Sequence, residues 1–274
     1  MPFAHQKPPL APSPAPQMVA SSGGALAAGM GGGGIGGAIA PLDAKVLASD
    51  PLLQVACVLK TPPNCSEAHL YLKNASHASV RNLSMQFEPP PSLRMSLQAS
   101  PPGDAKGYRV TMTQMHGGSS TAIVCTMQCV QPMGEGQLLG QVGYVDAQSS
   151  EQRILSFKVP LALPQLLRPN PITTQQFGGF WPAHAAEKKQ VSHNPRIATN
   201  PRAFMDLIKS LNFHEVEIIG MECISCGKLV GSDHMVLLHG KLGLMAGRAM
   251  ELTVRSKDTR LTEAAVRLLD QTLK

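Results

Sequence analysis

Turn-forming residues interrupt the chain so often between residues 46 and 163 that a helix of ordinary length has no room there. Pro62-Pro63, Asn74, Pro89-Pro90-Pro91, Pro101-Pro102-Gly103, Gly117-Gly118 and Gly134-Glu135-Gly136 separate segments that are apolar or alternate apolar with polar. Those segments are residues 53–59, 68–72, 79–87, 93–97, 108–115, 121–130, 140–145 and 154–161. Short strands at even spacing predict an all-β, immunoglobulin-like antiparallel sandwich, which we place over residues 48–165. The cysteine and tryptophan signature of an antibody domain is missing, so only the architecture is implied. Cys125 and Cys129 lie four apart in one candidate strand and face the same side. Without further ligands nearby they read as packed thiols.

Upstream, residues 1–47 are dominated by proline, alanine, glycine and serine. Such a segment cannot bury enough apolar area to offset the entropy of ordering it, so a disordered Gly/Pro-rich linker is expected. The glycine run at 31–37 has no strand before it and no Lys-Ser/Thr after it, which removes a phosphate-loop reading.

The texture changes near Trp181, the only tryptophan in the chain. Thr173 or Thr174 can cap a helix with Gln176 as the capping-box partner, and Phe177 and Trp181 then fall on one face. Gly178, Gly179 and Pro182 oppose helix, so a short, kinked or interrupted turn is expected. Aromatics gathered this way either anchor a small core or present a flat apolar surface. Residues 182–198 read as a polar, exposed stretch. Asn200-Pro201 opens a helix whose stripe is Phe204, Leu207, Ile208 and Leu211. Residues 213–219, Val230 with 236–242, and 250–254 read as strands, and a last helix buries Leu261, Ala265, Leu268, Leu269 and Leu273. Residues 166–274 are therefore expected to form an α+β platform, a small antiparallel sheet with helices.

A formal charge of +6 over 274 residues, without long runs of like charge, gives no reason to expect nucleic acid. No apolar run approaches the roughly twenty residues of a membrane span, and the start lacks a signal-peptide pattern. A cytosolic chain with free thiols is expected. Cys223-x-x-Cys226 has the spacing of zinc or thiol-exchange sites, but His214, His234 and His239 complete no structural-zinc template. The two sulfurs read as packing near a strand end. Glu215 and Glu217 read as solvent-side residues of an alternating strand, and no Gly-x-Ser-x-Gly or paired helical carboxylates occur. No enzyme activity, cofactor or metal is expected. The competing reading from another class is a small thiol or metal enzyme using Cys223 and Cys226.

The C-terminal region resembles the appendage, or ear, of the large adaptin subunits of vesicle adaptor complexes. Phe177-Gly178-Gly179-Phe180-Trp181 looks like the Phe-Gly-x-x-Trp opening of the appendage platform. Phe213 to Gly220 is similar to the first platform strand, and residues 235–241 and 251–256 to later ones. Within the family these patterns look most like the epsilon subunit of the fourth adaptor complex, with alpha adaptin of the plasma-membrane adaptor next. The resemblance implies a non-enzymatic ear hung from a coat on a hinge, recruiting accessory proteins by short peptide motifs, at the trans-Golgi network for the epsilon type and in endocytosis for the alpha type. It also implies other adaptor subunits as partners through a trunk absent from this sequence, an indirect association with membrane, and the reading of this chain as a fragment or free ear. For the site it implies Trp181 with Phe177 as the aromatic pair and Arg255 as a guanidinium beside it. Gly178 replaces an aromatic of the alpha pattern, Glu251 stands where a second arginine is expected, and Lys241 is near the position of a third. Those departures favour a more apolar peptide.

Overall fold

The computed structural model describes Ala38 and residues 40–274. The glycine run and most of the expected tail lie outside them. Strand β1 (Lys45–Ser49) already pairs with the next strand, so regular structure starts ahead of the expected boundary at residue 48. It is followed by β2 (Leu53–Lys60), β3 (Ser66–Asn74), β4 (Val80–Glu88), β5 (Leu93–Ala99), β6 (Asp104–Lys106), β7 (Arg109–Met115), β8 (Ser120–Cys129), β9 (Gly136–Asp146) and β10 (Gln152–Leu161). These form two 5-stranded antiparallel sheets, β1-β2-β3-β8-β5 and β10-β9-β4-β7-β6. Every strand read from the sequence is present, and the short β1 and β6 are additions at sheet edges.

Period-two patterning builds this sandwich. Along β8 every second residue from Thr121 to Cys129 is buried, which turns both Cys125 and Cys129 inward. Gly140 is required where it stands, because a Cβ there would come within 2.2 Å of the Phe157 ring. Across that glycine Phe87 meets Phe157 edge-on, with ring centroids 5.9 Å apart. Asn74 is fully buried and closes the β3–β4 turn: its Nδ2 donates to Ala78 O at 2.7 Å and its Oδ1 accepts from Ser76 N at 3.1 Å.

The chain then runs through α1 (Leu163–Leu166), β11 (Leu167–Pro169), α2 (Thr174–Ala183), β12 (Ala186–Ser192), α3 (Pro195–Ala198), α4 (Pro201–Ser210), β13 (His214–Ile219), β14 (Glu222–Leu229), β15 (Met235–Gly243), α5 (Leu244–Gly247), β16 (Ala249–Ser256) and α6 (Thr259–Thr272). A 6-stranded sheet takes the order β11-β14-β15-β16-β12, with β13 on the edge of β14. The polar stretch 182–198 thus holds an edge strand and a helical turn. Its residues are exposed enough that pairing, rather than apolar alternation, makes the strand. Cys223, the second residue of β14, packs near a strand end as expected, whereas Cys226 lies in the middle of that buried strand between β13 and β15. On one face of the sheet, α4 lays down Phe204, Met205 and Ile208, and α6 lays down Leu261, Ala264, Ala265 and Leu269. Asn200 Oδ1 accepts from Ala203 N at 3.0 Å, the expected cap of α4.

Sandwich and platform share one continuous apolar cluster, from Leu53 and Val55 through Leu166 and Leu167 to Phe204 and Leu269. Arg168 bolts the joint. Its Nε donates to Pro62 O at 2.7 Å, Nη1 to Gln165 O at 3.0 Å and Nη2 to Ser66 Oγ at 3.0 Å, with Cys65 O also accepting from Nη2. Val230 links the same parts by backbone: Cys129 N donates to Val230 O at 2.8 Å and Val230 N to Leu166 O at 2.9 Å. Arg168→Met keeps the stem and strips the donors from several buried acceptors. It is expected to lower unfolding stability by about 3 kcal/mol, read as a reduced midpoint in urea with one transition retained.

Candidate functional site

The second face of the platform sheet is covered only in part. Helix α2 lies over it and buries Phe177 against Ile224, Cys226 and Leu237, with Ile172, Phe180, Trp181, Val216 and Met235 around them. The capping box forms: Gln176 N donates to Thr173 Oγ1 at 3.2 Å and Thr173 N to Gln176 Oε1 at 2.9 Å. The expected kink is absent, and α2 runs 10 residues without a break. Pro182 falls in its last turn and removes the amide that would bond to the Gly178 carbonyl, and packing beneath holds Trp181 helical against the preference of a residue before proline. Asn170 fixes the approach, donating through Nδ2 to Met235 Sδ at 3.2 Å.

Around the indole three of the sequence-predicted residues, Phe177, Trp181 and Arg255, meet. Phe177 stacks on Trp181 with centroids 5.3 Å apart at 27°, as their spacing of four requires. Arg255, on β16, carries its guanidinium over the indole at 4.7 Å from the ring centroid. Its Nη1 donates to Trp181 O at 2.9 Å, satisfying a carbonyl at the end of α2 where cations are favoured. Its Nε donates to Glu187 Oε2 at 2.6 Å, and Nη2 pairs with the same carboxylate. Arg255 is therefore already engaged on three sides. His239 of β15 meets the indole edge-on at 5.8 Å and pairs with Glu222 at 2.8 Å. The end of α2 is tied down by His184, fully enclosed, whose Nδ1 lies 2.7 Å from Phe180 O. Burial pushes the His184 pKa down, the hydrogen bond to Phe180 opposes this, and Lys257 adds to it.

Lys241 and Glu251 stand opposite each other across β15 and β16 on this same face, at its uncovered end. Glu251 lies four residues before Arg255, about 13 Å along the strand, so these two do not join the cluster at Trp181. Between the two groups the face is floored by Thr253 and His239, with Lys189 opposite Thr253 and Val191 opposite Glu251. Val191 is 52% exposed. The arrangement is an aromatic step at the end of a helix, descending to an open strip of sheet with charges of both signs. A hollow of about 320 Å³ elsewhere, lined by Gln86, Leu139, Gln141, Ser156 and Lys158 among others on the sandwich, involves none of these residues.

Residues 169–272 match the family model described as Adaptin AP4 complex epsilon appendage platform. This segment is similar to an adaptin appendage platform. The chain is also 31% identical over 137 residues to AP-4 complex subunit epsilon-1 of Homo sapiens, a match covering 47% of this chain and 12% of that protein. The chain thus spans about an eighth of the length of that relative. Among solved structures, the GAE domain of GGA2p from Saccharomyces cerevisiae is similar at 16% identity and a TM-score of 0.33, covering 43% of this chain and 96% of that domain. The yeast GGA1 GAE domain is similar at 14% identity and 0.33, covering 43% and 97%.

The platform sheet also places the Cys-x-x-Cys pair. Residues three apart on a strand face opposite ways, and Cys223 lies in the main core while Cys226 lies beneath α2. The two sulfurs therefore cannot close on one metal or on each other. Among the described residues no group of three or more metal-binding side chains is gathered. Glu187, Lys189, His239 and Thr253 are members of the candidate face that sequence reasoning missed. Nothing in the string from Glu187 to Ser192 announces a strand, so their place follows only from pairing with β16.

Two outcomes are expected here. Burial pushes the thiols of Cys57 and Cys129 up to about 12 and those of Cys223 and Cys226 up to about 11. Cys65 is only half-buried, although burial and Glu67 push its thiol up as well, so an aromatic disulfide reagent at neutral pH should reach Cys65 first in the native chain and all 6 cysteines only after unfolding. Rapid native reaction at Cys223 or Cys226 would revive thiol chemistry. Gly178 and Gly179 face open space in α2, so Gly179→Ala should raise stability by about 1 kcal/mol in urea titration.

Proposed function

We propose that this chain acts as the ear of a vesicle coat adaptor, working by binding rather than catalysis. Accessory proteins dock short linear peptides on the platform face beside Trp181. The reading extends to an epsilon-type adaptor serving intracellular protein transport on the cytosolic face of the trans-Golgi network. Other adaptor subunits are its partners through parts of an adaptin outside this sequence, and its membrane association is indirect. No helix among the described residues is long and apolar enough to cross a membrane.

The observation that carries the reading is the half-covered sheet face with Trp181 at its step. An aromatic or aliphatic side chain can lie along the exposed part of the indole while the peptide backbone crosses the open strip toward Val191 and Lys241. Tryptophan at such a place contributes area at low entropic cost, and the surrounding polar residues form a wet rim. Phe177 serves from below: it is 6% exposed and sets the height of the indole instead of meeting the ligand.

Residues 38–274 immobilised on beads should capture adaptor accessory proteins from cytosol. Trp181→Ser should reduce that capture about tenfold or more while circular dichroism remains that of the wild type. Equal capture by both folded proteins would remove Trp181 from the binding face.

A further inference from the structure

Arg255 is the cation on this face best placed to read an acidic group beside a docked aromatic, yet the chain supplies that acid itself. Glu187 stands opposite Arg255 in the register of β12 and β16. Its Oε2 accepts from Nε at 2.6 Å and from Nη2, the edge of a guanidinium that matches a carboxylate in bidentate fashion. Nη1 is taken by Trp181 O at 2.9 Å, and the guanidinium plane lies over the indole at 4.7 Å. The Arg255 and Glu187 side chains are 23% and 31% exposed, so the pair lines the surface where a peptide would lie. A carboxylate arriving there meets the charge of Glu187 before it reaches the arginine. Glu222, beside His239, and Glu251, farther along β16, are further acids on the same face, while Lys189 and Lys241 lie on the open strip.

We infer that Glu187 determines specificity: it is a carboxylate held in cis that occupies Arg255 and turns away linear peptides with an acidic residue next to their aromatic anchor. The occupant selected is a peptide that is neutral at that position and reads the indole through an aromatic or aliphatic side chain. This rests on the docking reading given above. The cost to an acidic peptide has two physical parts, like-charge repulsion and the breaking of a partly shielded ion pair, and both vanish if the carboxylate is removed.

Trp181 is the only tryptophan, so its fluorescence reports on this face directly. Two degenerate peptide pools with a central phenylalanine, differing only in Asn or Asp as the following residue, are titrated into the full chain and into Glu187→Gln. The wild type is expected to bind the Asn pool about tenfold or more tighter than the Asp pool. Glu187→Gln should close that gap by tighter binding of the Asp pool, with the Asn pool unchanged. Glu187→Ala, which leaves no oxygen for Arg255, should give the same result and covers the case in which the glutamine stays paired. Equal wild-type affinity for both pools, or a gap that survives both substitutions, overturns the role of Glu187 while leaving docking intact. Silence of Trp181 with both pools in all the folded proteins overturns the docking reading, and this inference falls with it.

Discussion

A sheet has two faces, and the platform has helices enough to cover one and part of the other. Alternation along β14, β15 and β16 sends Cys223, Leu238, Leu252 and Val254 to one side, where α4 and α6 close over them. It sends Ile224, Leu237, His239, Glu251 and Arg255 to the other, where α2 alone is available. Each strand must supply apolar side chains under α2 and polar ones beyond its end, and the sequence does so: Leu237 is followed by His239 and Lys241 on the same face. The uncovered strip is a direct result of having one short helix over a broad sheet.

Holding α2 at the right height then becomes the central requirement. Its own propensity is poor, with two adjacent glycines and a proline. Three contacts compensate: the capping box at its start, Phe177 sunk between Ile224 and Leu237, and Arg255 beneath its last carbonyls. Arg255 contributes about 1 kcal/mol through its stacking on the indole alone, and its pairing with Glu187 ties the helix to the edge strand β12. A residue that the resemblance suggests as a reader of ligands is thus a structural clamp in this fold, with its donors already engaged on Glu187 and Trp181.

The sandwich was legible in the sequence because its strands alternate and its turns are marked by proline and glycine. Each of these is a local signal, as in β8 with its unbroken alternation. Helix α4 was legible from its cap and apolar stripe, and α6 from its apolar stripe. The stacking of Phe177 on Trp181 also followed from spacing. Long-range pairing hid the rest. Strand β12 is polar along its length and exists because β16 offers it a partner, so Glu187 could not be matched to Arg255 beforehand. Strand β14 escaped because Cys223, Ser225, Cys226 and Gly227 lack the bulk that marks a strand, although the close packing of Phe213 and Leu167 over Gly227 demands small residues there. The kink expected in α2 was a local penalty overruled by tertiary contacts.

Arg168 has a consequence for how the two halves could be exchanged. Its hydrogen bonds reach back to Pro62, Cys65 and Ser66 on the loop and strand of the sandwich, and its neighbours Leu166 and Leu167 belong to the common core. A chimera joining this platform to the sandwich of another ear would strand a guanidinium unless the Pro62–Ser66 corner travelled with it. Exchange of halves at that seam carries a stability penalty, whereas side-chain replacement on the open strip leaves the joint untouched.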